Sequence, residues 1–191
     1  MYPKLTIDLK KLEGNLEAVA KITKEQGGCT MMIVTKGVCA DEEVVKMVLS
    51  HPEVDYLADS RMKNIKTYAG RGKETVLLRL PMASEISDVV KYADISFNSE
   101  LETIKLLDQE AKKQGKTHRI VLMIDLGDLR EGIYYTDEDQ IFSAVEEILK
   151  LENIRLFGVG VNLTCYGAVI PKPDNLSILV DAARKIEIEF G

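Results

Sequence analysis

Little in this 191-residue chain is suited to metal or redox chemistry. It has two histidines, His51 and His118, and three cysteines, Cys29, Cys39 and Cys165. The cysteines are odd in number, far apart and never spaced C-x-x-C. That pattern favours free thiols in a reducing compartment over disulfides or zinc. His51 precedes Pro52 after a helical stretch and His118 stands just before a strand. Both read as solvated, and no histidine-built metal site is expected. Basic residues are outnumbered, 25 Lys and Arg against 31 Asp and Glu, for a net charge of −6. That balance argues against a broad basic face for nucleic acid. No apolar run approaches the ~18–20 residues of a membrane span, and Met-Tyr-Pro-Lys-Leu-Thr does not read as a secretory signal. The expectation is a cytoplasmic protein with neither membrane nor nucleic-acid partner.

What is present is ordinary for a globular chain. Hydrophobic residues make up 46% and charged residues 29%, values that argue against disorder. The length suffices for one domain with its own core, and no linker or low-complexity segment divides it, so residues 1–191 read as one domain.

After an opening strand at Leu5–Leu9, Asp8 is a plausible N-cap for a helix near residues 10–25, with Leu12, Leu16, Val19, Ala20 and Ile22 on one face. A strand–helix alternation then repeats six times. Strands are expected near 30–36, 54–58, 75–80, 94–97, 119–126 and 154–162. Helices follow from Asp41, from Asp59, over 84–92, 99–114, 137–149 and 175–189. The strands are continuous apolar runs, as in a parallel sheet covered on both faces by crossover helices. Six such units fit an open doubly wound sheet or part of an eight-stranded barrel. Neither the G-x-G-x-x-G fingerprint nor a P-loop follows the first strand.

Lys36 is the residue most open to chemistry. It ends the run Thr30-Met31-Met32-Ile33-Val34-Thr35, which reads as a strand buried on both faces, and Gly37 follows at once. A lysine closing such a strand lifts its amine to the sheet rim, where α/β proteins place their sites. A desolvated lysine amine forms Schiff bases with carbonyl compounds, pyridoxal phosphate among them; the bland alternative is a solvated strand end. The other strand ends add Asp59 and Ser60, Arg79, Asn98 and Ser99, the segment Asp125–Gly132, and Asn162 through Gly167. Asp59, Ser60 and Ser99 are good helix-capping types. Arg79, between Leu78 and Leu80, must place a charge at the edge of a core.

These residues resemble a known family. Leu5-Thr6-Ile7-Asp8-Leu9, Ile33-Val34-Thr35-Lys36, Asp125-Leu126-Gly127-Asp128-Leu129-Arg130-Glu131-Gly132 and Phe157-Gly158-Val159-Gly160-Val161-Asn162 occur in the order seen in the N-terminal barrel of the alanine racemase family, the fold-type III pyridoxal-phosphate enzymes. Asp55-Tyr56-Leu57-Ala58-Asp59-Ser60-Arg61, the stretch Tyr92–Glu100 and the stretch Asn162–Pro171 look like its ornithine racemase branch. The resemblance implies a (β/α)8 barrel of the TIM type, incomplete here, with about six βα units and no C-terminal β domain. It implies a pyridoxal-phosphate-dependent racemase of ornithine or a similar basic amino acid. Lys36 would hold the cofactor as an internal aldimine, and Arg130 would lie by the cofactor's phenolic oxygen and the substrate carboxylate. Asn162 falls where alanine racemases have a histidine beside the pyridine ring, and Ala40 where they have a phosphate-binding tyrosine. At both positions the sequence departs from the pattern. Arg79, Asp128 and Glu131 are candidate substrate-binding residues, and Cys165 and Tyr166 candidates for the second base. The full-length form is expected to be a homodimer and the fragment inactive alone. A non-catalytic pyridoxal-phosphate-binding homeostasis protein is the alternative.

Overall fold

Asp8 caps the first helix, as its chemistry predicts: its carboxylate accepts from the Lys11 backbone N–H at 3.2 Å. The computed structural model describes residues 3–164 and 169–191. It falls into two compact units, Met1–Val76 and Leu77–Gly191.

In the first unit, α1 (Leu9–Ala20) runs on as a π-helical segment, Lys21–Gln26. Then come β1 (Met32–Val34), α2 (Glu42–Ser50), β2 (Tyr56–Asp59), α3 (Met62–Tyr68) and β3 (Glu74–Leu77), which crosses the unit boundary. Strands β1, β2 and β3 lie side by side in that order, and β1 pairs parallel to β2 with Val34 opposite Ala58. Helix α2 opens where the sequence predicts, because the Asp41 carboxylate accepts from the N–H groups of Glu43 and Val44. Its Val44, Val45 and Val48 are buried, as are Leu57, Ala58, Ile65 and Tyr68.

The second unit holds α4 (Ile86–Tyr92), β4 (Ile95–Asn98), α5 (Leu101–Gln114), β5 (His118–Asp125), β6 (Ile133–Tyr134), α6 (Glu138–Leu149), β7 (Ile154–Gly160) and α7 (Pro173–Phe190). Strand β5 is central, parallel to β4, to β7 and, at its last residues, to β6. Gly160 is needed in β7, since a Cβ there would come within 2.8 Å of Val121 Cγ1. The core comprises Ile104 and Leu107 of α5, Ile120, Leu122, Met123 and Ile124 of β5, and Val145 and Ile148 of α6. With β6 set aside, each strand and the helix that follows it make six strand–helix units among the described residues, as the apolar pattern predicts.

Four expectations need correction. No strand forms over Leu5–Leu9, where Leu5 is 81% exposed; an extended segment gains ladder hydrogen bonds only beside a partner. β1 is shorter than the apolar run, and Val34 is 42% exposed, because β1 has a strand neighbour only in β2 within its unit. His51 is buried, with its Nδ1 accepting from the Glu53 N–H. His118 is buried too, held by Ser96 Oγ at 2.8 Å from Nε2. Pattern reading places a polar ring outside by default and cannot foresee a buried partner. The two-residue β6 escapes prediction because so short a run carries no periodicity.

Candidate active site

The end of β1 is built around Thr35. Its N–H donates to Ala58 O at 2.9 Å, and its carbonyl accepts from Val38 N at 3.1 Å and Ala40 N at 3.2 Å. These bonds wind Lys36–Val38 into one 3₁₀ turn. Cys39 and Ala40 then both adopt positive φ, 51° and 53°. Two successive non-glycine residues in that region cost on the order of 1–3 kcal/mol each, so the surrounding bonds must hold the turn. The turn carries Lys36 with its side chain exposed, and its amine has no hydrogen-bond or ion-pair partner among the described residues. Arg61 Nη1 reaches the Cys39 Sγ at 3.8 Å.

Beneath this turn lies a polar cluster that sequence reasoning missed. Thr35 Oγ1 donates to Asp59 Oδ2 at 2.7 Å, and the Tyr68 hydroxyl lies 3.3 Å from the same oxygen of Thr35. Asn64 Nδ2 also donates to Asp59 Oδ2, and the Arg61 N–H to Oδ1. Asp59 is fully buried, so it faces inward instead of meeting solvent at the rim. Burial pushes the Tyr68 hydroxyl up to about 12, further raised by the Asp59 charge and partly offset by its bond to Thr35. Register brings the pair together: with Val34 opposite Ala58, Thr35 comes opposite Asp59.

In the second unit, Asp125 ends β5 and organises the loop after it. Its Oδ1 accepts from Gly127 N at 2.8 Å and Leu129 N at 3.1 Å. Gly132 closes the loop at φ 114°, where a Cβ would lie 2.7 Å from Asp125 N. The loop brings three predicted residues together. Glu131 accepts a hydrogen bond from Asn162 Nδ2 and lies 3.6 Å from Arg130 Nε. Arg130 is exposed and Asn162 half-buried. Asp128 is buried, its Oδ1 accepting from Val169 N at 3.0 Å. Arg79 donates to Leu80 O and pairs with Glu85. At the end of β4, Asn98 Oδ1 and Ser99 Oγ are buried without a partner among the described residues. Cys165 and Tyr166 lie outside the described residues. Among those residues, no group of three or more His, Cys, Asp or Glu could hold a metal, and no helix is long and apolar enough to cross a membrane.

Comparison with known proteins gives the class. The family described as alanine racemase, N-terminal domain, matches residues 7–188. The chain belongs to that family. An ornithine racemase of Acetoanaerobium sticklandii is 51% identical over 191 residues, all of this chain and 53% of that protein. A lysine racemase of Thermotoga maritima is 33% identical over 193 residues, covering 100% of this chain and 52% of that protein. Among solved structures, an alanine racemase of Clostridium difficile 630 superposes with a TM-score of 0.75 at 22% identity, covering 97% of this chain and 51% of that one. The fold is therefore the α/β barrel of alanine racemases, present in part. The chain spans about half the length of the relatives it matches.

Proposed function

We propose that residues 1–191 are the N-terminal, cofactor-binding barrel part of a pyridoxal-phosphate-dependent racemase of a basic amino acid, with ornithine the favoured substrate. The observation that carries this reading is the Lys36 amine, exposed and partnerless at the end of β1. It occurs in a chain half identical, along its whole length, to an ornithine racemase. An amine engaged by a carboxylate would first have to break that pair before adding to a carbonyl.

The residues present fit the cofactor. Lys36 would hold it covalently, and Arg130 would offer a charged fork to its ring oxygen and to the substrate carboxylate. Asn162 would stand beside the ring, its amide set by Glu131. When bound, pyridoxal phosphate supplies an electron sink for the charge left when the substrate loses its Cα proton. This chain's part is to hold and move that proton, with the Lys36 amine serving one face of Cα. Racemisation needs a second group on the opposite face, and Cys165 and Tyr166 are the candidates this chain offers. Arg79, Asp128 and Glu131 would line the substrate side, the two acids suiting a distal ammonium. The active form would be a cytoplasmic homodimer.

The test uses the whole protein. Adding pyridoxal phosphate should raise a visible absorption band, and borohydride reduction followed by peptide mapping should put the label on Lys36. Lys36→Ala should lose the band and the exchange of the Cα proton of D- and L-ornithine. A band on Lys36 without any exchange would leave a cofactor-binding protein and overturn the racemase.

A further inference from the structure

We propose that Thr35 and Asp59 are positioning residues for Lys36, forming a buried anionic clamp that fixes the turn from which the reactive amine projects. The inference rests on the reading of Lys36 given above.

The clamp is costly for an ordinary cap. Asp59 is fully buried and its acceptors meet three neutral donors: the Thr35 hydroxyl, the Asn64 amide and the Arg61 N–H. No ion pair engages it among the described residues. Burying a carboxylate without a cation is expensive, and a serine or asparagine would satisfy the Arg61 N–H equally well. What a carboxylate adds is an acceptor that forces the Thr35 hydroxyl to donate towards it.

Thr35 is also where the neighbouring backbone converges. It is tied to β2 through Ala58 O, and its carbonyl accepts from both Val38 and Ala40. Fixing its side chain therefore fixes the whole 36–40 turn, including the two positive-φ residues that would otherwise relax. The same β2 end holds the turn a second time, through Arg61 to Cys39. An exposed lysine has many rotamers and little restraint of its own. Its attack on a carbonyl then depends on how well its backbone is held.

The test compares Thr35→Val, Thr35→Ser and Asp59→Asn in the whole protein, with Lys36→Ala as control. Three readouts are taken: the rate at which the visible band grows with pyridoxal phosphate, the circular dichroism of that band, and thermal unfolding. Thr35→Val keeps the shape and loses the hydroxyl, whereas Thr35→Ser keeps the hydroxyl and loses a methyl. Packing alone ranks valine as the more stable variant; the clamp ranks serine as the faster one. We expect Thr35→Val and Asp59→Asn to slow attachment about tenfold or more and weaken the dichroism, with Thr35→Ser within about twofold of wild type. If Thr35→Val attaches the cofactor as fast as wild type with the same dichroism, the clamp is only structural and the inference fails. Should Asp59→Asn not fold, the Thr35 pair still decides. A Lys36→Ala protein that keeps the band would instead overturn the assignment of Lys36 itself, and the inference with it.

Discussion

Arg130 and Gly132 show how single residues define the loop after β5. The Arg130 side chain is 32% exposed, with Glu131 3.6 Å from its Nε. If its fork binds both a ring oxygen and a carboxylate, a lysine cannot replace it, because a point charge lacks the paired donors. Arg130→Lys is expected to keep most of the cofactor absorbance and lose most of the turnover in the whole protein. Unchanged turnover in a steady-state assay would reduce Arg130 to a surface ion-pair residue. Gly132 has a different role. Its φ of 114° and the 2.7 Å approach of a Cβ to backbone allow no side chain. Gly132→Ala should cost on the order of 2–4 kcal/mol, since both the dihedral and the backbone clash must be relieved. Denaturant unfolding of the variant measures this directly.

Among the elements, β4 and the start of β5 share a buried polar chain. Asn98 Nδ2 donates to Ser96 Oγ at 2.9 Å, and Ser96 Oγ lies 2.8 Å from His118 Nε2. Burial pushes the His118 imidazole down to about 4 from 6.5; Asp94 opposes this, and Arg119 and Lys116 add to it. The folded value lies below the unfolded one, so between pH 6.5 and about 4 the unfolded chain takes up a proton that the folded chain refuses. Stability from this group is thus complete above pH 6.5 and falls as the pH drops, by on the order of 3 kcal/mol across the window. His118→Gln should flatten the acid limb of unfolding free energy between pH 6.5 and 4. An acid limb of the same slope in the variant would show that carboxylates elsewhere carry it. Helix α2 offers a simpler case: Asp41→Ala removes the acceptor of two N–H groups and should cost about 1 kcal/mol, read by denaturant midpoint.

At the scale of the whole molecule, the proposed function predicts a basic side chain on the substrate. The matched relatives act on ornithine and lysine, and the loop after β5 places two acids, Asp128 and Glu131, close to Arg130 in sequence. Glu131 is already engaged by Asn162 and Arg130. Glu131→Gln is therefore expected to lower kcat for every substrate. If Asp128 lines the substrate side as proposed, Asp128→Asn should raise KM for ornithine well above any rise for alanine, because a distal ammonium would lose its counter-charge. Equal effects of Asp128→Asn on the two substrates, in a racemisation assay of the whole protein, would count against a distal-ammonium site.

The sequence by itself determined the order and kind of the elements from β1 onward, the two-residue β6 excepted. Continuous apolar runs separated by amphipathic stretches read as parallel strands with crossover helices. Asp8, read as a cap, marked a helix start that the backbone then satisfied, and Asp41 and Asp137 cap their helices in the structure as well. It also singled out Lys36, because a polar residue that ends an apolar run falls at the rim of a parallel sheet, and it marked the segments 125–132 and 162–167; the roles of Arg130 and Asn162 came from the family resemblance. Only the tertiary structure decided what surrounds them. The bond from Thr35 to Asp59 spans 24 positions and that from Asn162 to Glu131 spans 31. No local pattern encodes a pairing that depends on which strands lie side by side. For the same reason His51 and His118 read as solvated and proved buried: a polar side chain is tolerated inside when a distant partner meets it. Periodicity reports the face a residue occupies. The neighbour waiting on that face is set by register.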